Sequence, residues 1–354
     1  MLIDCDVHPQ LRKDESLVEY VPEMFRDRFV EGGTGLAGSY PAPNKGRRVD
    51  SIPDDGNPSG SDPALFERQL LGDAGVDYAI HLCDVGGSAI DPDLDGAIKR
   101  GMNNWMASKW LGEYNRHGRY RGALNVSMAS PELAVREIED WAGHPNFVQL
   151  LGNPKVNLPF GHRHYHPIWE AAARHNMPFS IHKASVGLPA LLTPAGYCSY
   201  YPEIHSVAEP TVYVAHLMSF ICEGVFDKYP NFKVVFVEGG FGWVAPLIWR
   251  LEKMWDAVRI EFPHIKRRPS DYLYENVRFT TQPIEEPERR RDLNTLLDMI
   301  DAERILMFAT DYPHWDYDDP QRVLTRLADG ARERIAYRNA AELYKFPVIE
   351  PTKH

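Results

Sequence analysis

Five side chains with the chemistry of metal ligands or acid–base catalysts stand at the ends of apolar, β-rich segments. Asp6 and His8 close the first segment, His182 closes a later one, and Glu238 and Asp311 close two more. Asp6 and His8 are two residues apart, so on a strand both side chains point to the same face. Two imidazoles together with carboxylates suit Zn²⁺, Mn²⁺ or Fe²⁺ better than Ca²⁺. The pattern therefore predicts a divalent metal site built from several strand ends.

The elements that must position these side chains alternate along the chain. Short apolar segments predict eight strands, at residues 2–7, 76–82, 120–126, 147–151, 178–182, 232–238, 276–280 and 304–310. Helical periodicity predicts helices at residues 63–74, 93–116, 131–142, 166–176, 206–229, 242–260, 285–300 and 318–329. Eight such units predict an α/β fold, a parallel (β/α)₈ TIM barrel whose strand ends converge on one face. A doubly wound open sheet is the alternative, but no glycine-rich phosphate loop follows the first strand.

Two segments depart from this alternation. Residues 31–62 are rich in Gly, Pro, Ser, Asn and Asp and have no periodicity, which predicts a loop insertion after the first strand. It would be either a lid or dimer-contacting loop at the C-terminal face of the barrel, or a flexible surface insertion. Residues 331–345 predict an extra C-terminal helix outside the barrel. We therefore interpret residues 1–354 as a single domain.

The two carboxylates at later strand ends are the predicted catalytic residues. Glu238 precedes Gly239 and Gly240, which let the chain turn away and leave the carboxylate open to the cavity. We predict that Glu238 is a general acid or base, whereas a salt bridge to a nearby arginine is the structural alternative. Asp311 would bind the metal, accept a proton from a metal-bound water, or do both.

Other basic side chains have weaker signals. His314, three residues after Asp311, is predicted to contact substrate or to orient a ligand. Arg250, on the helix after the sixth strand, is predicted to bind a substrate carboxylate, with a surface ion pair as the alternative. His216 falls in a predicted helix and fits a buried structural residue. A loop after the fourth strand carries three further histidines without a clear role, His162, His164 and His166.

Composition argues against a nucleic-acid-binding, membrane-spanning or secreted protein. The net charge of −11 argues against a nucleic-acid partner, which needs a basic surface. No apolar run of about 18 residues is present, so no membrane span is expected. The first ten residues lack the basic and apolar regions of a signal peptide, and the four cysteines form no CxxC pair. These features predict a cytoplasmic protein with a small-molecule substrate.

The motifs resemble the second amidohydrolase family, the metal-dependent barrel enzymes related to aminocarboxymuconate semialdehyde decarboxylase. Its opening I-D-x-H-x-H pattern stands here as Ile3-Asp4-Cys5-Asp6-Val7-His8, so Asp6 replaces the first histidine. Its strand-5 histidine matches His182. Its T-D-Y-P motif matches residues 310–313, and its G-V-F-x-x-[FY]-P run matches residues 224–230. The resemblance extends over nearly the whole chain and implies one bound metal ion and a homodimer.

One departure from the family pattern concerns the chemistry. The decarboxylases of this family carry a histidine in A-H-G-G after strand 6, where this chain has Val237-Glu238-Gly239-Gly240. The arginine that follows in the decarboxylases matches Arg250 only with a shift of one residue. We therefore expect this chain to share the metal centre of the family more closely than its decarboxylation chemistry.

The favoured function is a metal-dependent hydrolase. Asp6, His8, His182 and Asp311 would hold one ion, expected to be zinc, which would activate a water molecule against a small cyclic or aromatic, possibly carboxylated, substrate. The first alternative is a non-oxidative decarboxylase of an aromatic or unsaturated acid. The second is a binding protein that keeps the barrel without its chemistry.

Overall fold

The computed structural model describes residues 1–32, 46–83, 89, 91–154, 156–182, 192–193, 196–198 and 200–347. It contains eight parallel strands in one sheet, each within a few residues of its predicted position. These are β1 Ile3–Val7, β2 Tyr78–His81, β3 Tyr120–Asn125, β4 Phe147–Gly152, β5 Phe179–His182, β6 Val234–Val237, β7 Val277–Thr280 and β8 Leu306–Met307. A separate antiparallel hairpin, Leu192–Thr193 with Gly196–Tyr197, lies between β5 and β6 in sequence.

The strands follow chain order around the sheet, from β1 to β8. The two end strands also meet, because the backbone N–H of Cys5 donates to the carbonyl of Phe308 at 3.0 Å. Closer to the C-terminal ends of these strands, the N–H of Asp311 donates to the carbonyl of Asp6 at 3.0 Å. The predicted TIM barrel is therefore confirmed, and its closure brings the end of β1 beside the end of β8.

Helices surround the sheet. They are α1 Arg26–Gly32, α2 Pro63–Phe66, α3 Pro92–Ser108, α4 Pro131–Trp141, α5 His166–His175, α6 Tyr201–Glu203, α7 Glu209–Cys222, α8 Val225–Lys228, α9 Val244–Val258, α10 Pro269–Asn276, α11 Arg290–Met299, α12 Ala302–Ile305, α13 Pro320–Leu324, α14 Asp329–Glu333 and α15 Asn339–Tyr344. Most predicted helices are present, and α15 is the expected C-terminal helix.

Several boundaries differ from the sequence prediction. The predicted helix 206–229 is divided, because Gly224 adopts a left-handed conformation between α7 and α8. The predicted strand 304–310 is shorter, since Ala302–Ile305 form a helical turn. Helices α1 and α10 were not predicted.

Part of the predicted insertion lies on the face that carries the strand ends. Residues 33–45 of it lie outside the described residues. The N–H of Arg48 donates to the carbonyl of Pro313 at 3.0 Å, and the N–H of Gln10 donates to the carbonyl of Gly60 at 3.0 Å. Gly60 has a φ of +83°, and a Cβ there would lie 2.7 Å from the carbonyl oxygen of His8. Residues 46–62 therefore pack against the ends of β1 and β8.

Burial on both faces of the sheet explains why most strands are rich in apolar residues, with Asp4 and Asp6 of β1 as buried polar exceptions. All four residues of β6 are buried, as are all five of β1, because the barrel interior covers one face of each strand and the helices cover the other.

In the part of the chain that the structure describes, none of the helices has the length and apolar character that a membrane span requires.

Candidate metal centre

Four side chains from three barrel strands converge at the C-terminal face. They are Asp6, His8, His182 and Asp311, each buried, and each offers a ligand atom within 4.8 Å of the others. This is the ligand set predicted from the sequence, now gathered by the closure of β8 on β1 and by the position of β5 across the barrel.

His8 lies at the centre of the cluster. Its Nε2 is 2.9 Å from Oδ1 of Asp6 and 3.0 Å from Oδ1 of Asp311. Its Nδ1 is 3.1 Å from the carbonyl oxygen of Leu82, which fits a donated hydrogen bond that leaves Nε2 facing the carboxylates. His182 approaches from β5, with its Nε2 3.7 Å from Oδ1 of Asp6.

The second oxygens of the two aspartates test whether a cation fits. Oδ2 of Asp6 and Oδ2 of Asp311 are buried and have no hydrogen-bond partner among the described residues. Leaving carboxylate oxygens buried without a donor or a cation is costly. Two imidazole nitrogens and two carboxylates form a donor set that suits Zn²⁺, Mn²⁺ or Fe²⁺. The residues present therefore fit a single divalent ion.

The carboxylates around the two imidazoles raise the pKa values of both. Burial lowers the pKa of His8, but the charges of Asp6 and Asp311 outweigh it and raise that pKa well above its usual value. Burial likewise lowers the pKa of His182, yet Asp6 and Glu238 raise it overall. Both imidazoles must lose a proton to bind a metal, so metal binding would release protons.

Glu238 adjoins the cluster from β6. Its Oε2 lies 3.1 Å from Nε2 of His182, and its side chain is 1% exposed. Its φ of +57° is left-handed, a conformation that residues with a Cβ rarely adopt and that recurs at active sites. Gly239 follows because a Cβ there would lie 2.9 Å from the ring of Tyr213. The predicted turn is therefore present, and the carboxylate at its start lies against His182.

Asp311 has a similar backbone, with a φ of +61°. Behind it, the buried carboxylate of Asp4 accepts hydrogen bonds from the N–H of Thr310 at 3.0 Å and from its hydroxyl at 2.5 Å. Burial raises the pKa of Asp4 to about 7, against the lowering effect of the Thr310 hydrogen bonds. Burial and then the charge of Glu238 raise the pKa of Asp311 well above its usual range. Asp4 thus joins β1 to the loop that carries a predicted ligand.

The two predicted substrate-binding residues have different locations. Nδ1 of His314 is 2.5 Å from Oδ1 of Asp311, and its ring lies 4.5 Å from that of His8, so His314 adjoins the cluster and is positioned to orient a ligand. Arg250 is exposed on α9, in the outer layer, and is not brought into the buried cluster. Its role as a substrate clamp stays a prediction.

Two residues near the cluster were missed by sequence reasoning. Asp316 places a carboxylate oxygen within 4.8 Å of oxygens of Glu238 and Asp311, and Nε2 of His205 is 3.6 Å from Oδ2 of Asp316. Asp316 follows Asp311 by five residues, so its proximity in sequence was an available signal. His205 comes from the segment between α6 and α7, where no sequence pattern marked it.

The four other histidines considered in the sequence analysis form backbone contacts outside the cluster. Nε2 of His216 is 2.8 Å from the carbonyl of Pro154, and its Nδ1 accepts from the N–H of Phe160 at 3.2 Å. His162 accepts from the N–H of His164, and Nε2 of His166 lies 3.2 Å from the carbonyl of Gly161. These contacts support the expectation that His216 is a buried structural residue.

Comparisons with known proteins agree with this architecture. The amidohydrolase family pattern matches residues 3–346. Gamma-resorcylate decarboxylase from Polaromonas sp. (strain JS666 / ATCC BAA-500) is 28% identical over 238 residues, which are 64% of this chain and 71% of that protein.

Solved structures share the fold. An amidohydrolase from Mycobacterium avium subsp. paratuberculosis K-10 superposes with a TM-score of 0.76 at 20% identity, covering 98% of both chains. The 5-carboxyvanillate decarboxylase of Novosphingobium aromaticivorans DSM 12444, complexed with manganese and 4-hydroxy-3-methoxy-5-nitrobenzoic acid, superposes with a TM-score of 0.71 at 18% identity, covering 98% of this chain and 96% of that one. With its barrel, its cluster of candidate metal ligands at the strand ends and a family match over almost its whole length, this chain belongs to the amidohydrolase family.

Proposed function

We propose that this protein is a metal-dependent, non-oxidative decarboxylase of a hydroxylated aromatic acid. The observation that carries the proposal is the buried cluster of Asp6, His8, His182 and Asp311 with the carboxylate of Glu238 against it. The relatives favour decarboxylation, because gamma-resorcylate decarboxylase and 5-carboxyvanillate decarboxylase are both named for the removal of CO₂ from a phenolic acid. They favour this alternative over the hydrolysis that the sequence led us to expect.

The cluster would hold one divalent cation through Asp6, His8, His182 and Asp311. When bound, the cation would supply the positive charge that holds a substrate carboxylate beside a phenolic oxygen. The protein contributes fixed orientation, since all four side chains are buried on rigid strand ends or the turn after β8. His314 would keep the carboxylate of Asp311 oriented through its Nδ1 contact.

The reaction consumes one proton for each CO₂ that leaves. The proton is added to the ring carbon, the bond to the carboxylate breaks, and its electron pair stays with the ring. Two buried carboxylates close together do not both ionise readily, and the charge of Glu238 contributes to the raised pKa of Asp311. If Asp311 is a ligand it must be ionised and cannot be the acid, whereas Glu238 is the neighbouring carboxyl group outside the proposed ligand set. Glu238 is therefore our candidate for the acid that protonates the ring carbon.

Hydrolysis remains the second candidate, because Glu238 stands where the decarboxylases of the family have a histidine. As an ionised carboxylate, Glu238 would act as the base that accepts a proton from an attacking water molecule.

Isotopic labelling separates the two candidates. Metal-loaded protein would be incubated with 2,6-dihydroxybenzoate and with 5-carboxyvanillate in D₂O, and CO₂ release would be followed. Decarboxylation places one deuterium on the carbon that lost CO₂. A parallel screen of aromatic lactones and amides in H₂¹⁸O would place ¹⁸O in the product of a hydrolase. Label from H₂¹⁸O without CO₂ release would overturn the decarboxylase proposal.

The identity of the ion and the oligomeric state need separate measurements. A related decarboxylase structure contains manganese, whereas the donor set also suits the zinc expected from the sequence. Elemental analysis of protein purified without chelators decides between them. A homodimer stays the expected assembly, and light scattering coupled to size-exclusion chromatography measures it.

A further inference from the structure

Strand β7 lies between the strands that lead to Glu238 and Asp311, yet it supplies no side chain to the cluster. It ends instead in two consecutive buried threonines, Thr280 and Thr281. The hydroxyl of Thr281 accepts from the N–H of Ala309 at 3.1 Å, on the β8 side. The hydroxyl of Thr280 accepts from the N–H of Glu238 at 3.0 Å, on the β6 side. Thr280 therefore binds the backbone N–H of Glu238 itself, and Thr281 binds the backbone two residues before Asp311.

The peptide group between Val237 and Glu238 is held at both of its polar atoms. Its N–H donates to the Thr280 hydroxyl at 3.0 Å, and its carbonyl accepts from the Tyr213 hydroxyl at 2.7 Å. The Thr280 hydroxyl in turn donates to the carbonyl of Gln282 at 3.4 Å. Thr280 is 1% exposed and so is Tyr213, so water does not substitute for either hydroxyl.

The need for these two hydroxyls follows from the end of the strand. The backbone of β6 pairs with β7 through Phe236 and Phe279. Glu238 then turns away with a φ of +57°, so its buried N–H leaves the regular ladder. A buried backbone donor or acceptor without a partner is strongly unfavourable, so side-chain hydroxyls replace the missing ladder contacts. A peptide plane fixed at both ends also fixes the direction in which the Glu238 side chain leaves the backbone.

We propose that Thr280 and Tyr213 are positioning residues that hold the Val237–Glu238 peptide and, through it, the Glu238 carboxylate beside His182. Their effect on turnover rests on the proposed function, in which Glu238 transfers the proton. Their effect on geometry does not, because it concerns only the conformation of Glu238.

The geometric test is a crystal structure of metal-loaded Thr280→Val, with the wild-type protein and Thr280→Ser beside it. Valine keeps the shape of threonine without its hydroxyl, and serine keeps the hydroxyl. We expect Glu238 to leave the left-handed region in Thr280→Val and to retain it in Thr280→Ser. If the Glu238 carboxylate stays beside His182 in Thr280→Val, the proposal is overturned. Tyr213→Phe, which keeps the ring against Gly239, supplies the same comparison should Thr280→Val fail to fold.

The kinetic test uses decarboxylation of 2,6-dihydroxybenzoate. We expect kcat to fall about tenfold or more in Thr280→Val and in Tyr213→Phe, with KM and metal content unchanged, because a small misplacement of a reacting group is costly. Thr280→Ser should recover most of the rate, and the exposed helical Thr295→Val should match the wild type. In a Glu238→Gln background, Thr280→Val should cause no further loss.

The two proposals fail differently. A Glu238→Gln variant with full kcat would remove Glu238 from the chemistry and leave the geometric test standing. An inactive Glu238→Gln combined with a fully active Thr280→Val and a fully active Tyr213→Phe would leave the proposed function standing and overturn the positioning roles.

Discussion

Oε2 of Glu238 lies 3.1 Å from Nε2 of His182, so a candidate acid from β6 touches a candidate metal ligand from β5. Both side chains are buried, at 1% and 8% exposure. The contact places the Glu238 carboxyl group against the candidate metal cluster without making it one of the four proposed ligands. This arrangement allows metal binding and turnover to be separated by substitution.

Glu238→Gln should retain the metal and lose turnover. Glutamine has the same shape but no carboxylic acid proton to transfer, and loss of a general acid or base costs on the order of 10²–10⁴-fold in rate. The measurement is kcat together with metal content for wild type and variant. An unchanged kcat would remove Glu238 from the mechanism.

His182→Ala should lose the metal. The substitution removes one of four ligands and leaves Asp6 without the imidazole that lies 3.7 Å away. We expect metal content to fall from about one ion per chain to a small fraction of that after gel filtration. His162→Ala, in the loop after β4, is the matched control and should keep its ion. Full metal occupancy in His182→Ala would show that the ion is bound elsewhere.

His314→Ala should weaken the site without abolishing it. The Nδ1 of His314 contacts Asp311 at 2.5 Å, and loss of a group that orients a ligand costs about 10–100-fold in metal affinity or activity. Titration calorimetry with Mn²⁺ measures the affinity, and the exposed His164→Ala serves as the comparison. Equal affinities in the two variants would assign His314 no role in orienting Asp311.

Stability should fall in acid through His81. Burial lowers the pKa of His81 to about 3, and its ring stacks on Phe66 at 5.2 Å with no hydrogen-bond partner for either ring nitrogen among the described residues. In the unfolded chain a histidine titrates near 6.5, at roughly its ordinary pKa. Below pH ~6.5 the unfolded state therefore binds a proton at His81 that the folded state does not bind. The stability present above pH ~6.5 is lost as the pH falls toward the pKa of His81 in the folded state.

The expected slope from this one residue is about 1.4 kcal/mol per pH unit between pH ~6 and ~4. Urea unfolding at pH 7, 6 and 5 measures it. His81→Phe fills a similar space and should keep the pH 7 stability within about 1.5 kcal/mol while reducing the slope. A slope identical to that of the wild type would contradict the assignment.

The sequence predicted the repeating units of the barrel because strands and helices have different periodicities that short windows contain. It also predicted that Asp6, His8, His182 and Asp311 would converge, since polar residues that end buried strands must share one face of a parallel barrel. The two-residue spacing of Asp6 and His8 needed no tertiary information. Arg250 shows what this reasoning left open, because helical position alone did not decide between substrate contact and the exposed position in the outer layer that the side chain has.

Other features depended on which distant segments meet. Tyr213 and Thr280 hold opposite ends of one peptide group, although 67 residues separate them in sequence. Nothing in either local sequence marks them, because a buried threonine or tyrosine is ordinary until its hydroxyl finds a particular backbone atom. Asp4 is similar, since its bond to Thr310 exists only because β1 and β8 are neighbours in a closed sheet.

By itself, the sequence determined the barrel, the family and the polar residues at the strand ends that form the candidate metal cluster, because periodicity and residue type are local properties. Only the tertiary structure decided that Glu238 and Asp311 turn with left-handed backbones toward the same cluster, and which hydroxyls hold them there. Those contacts join residues far apart in the chain, and their energies exist only after the barrel has closed.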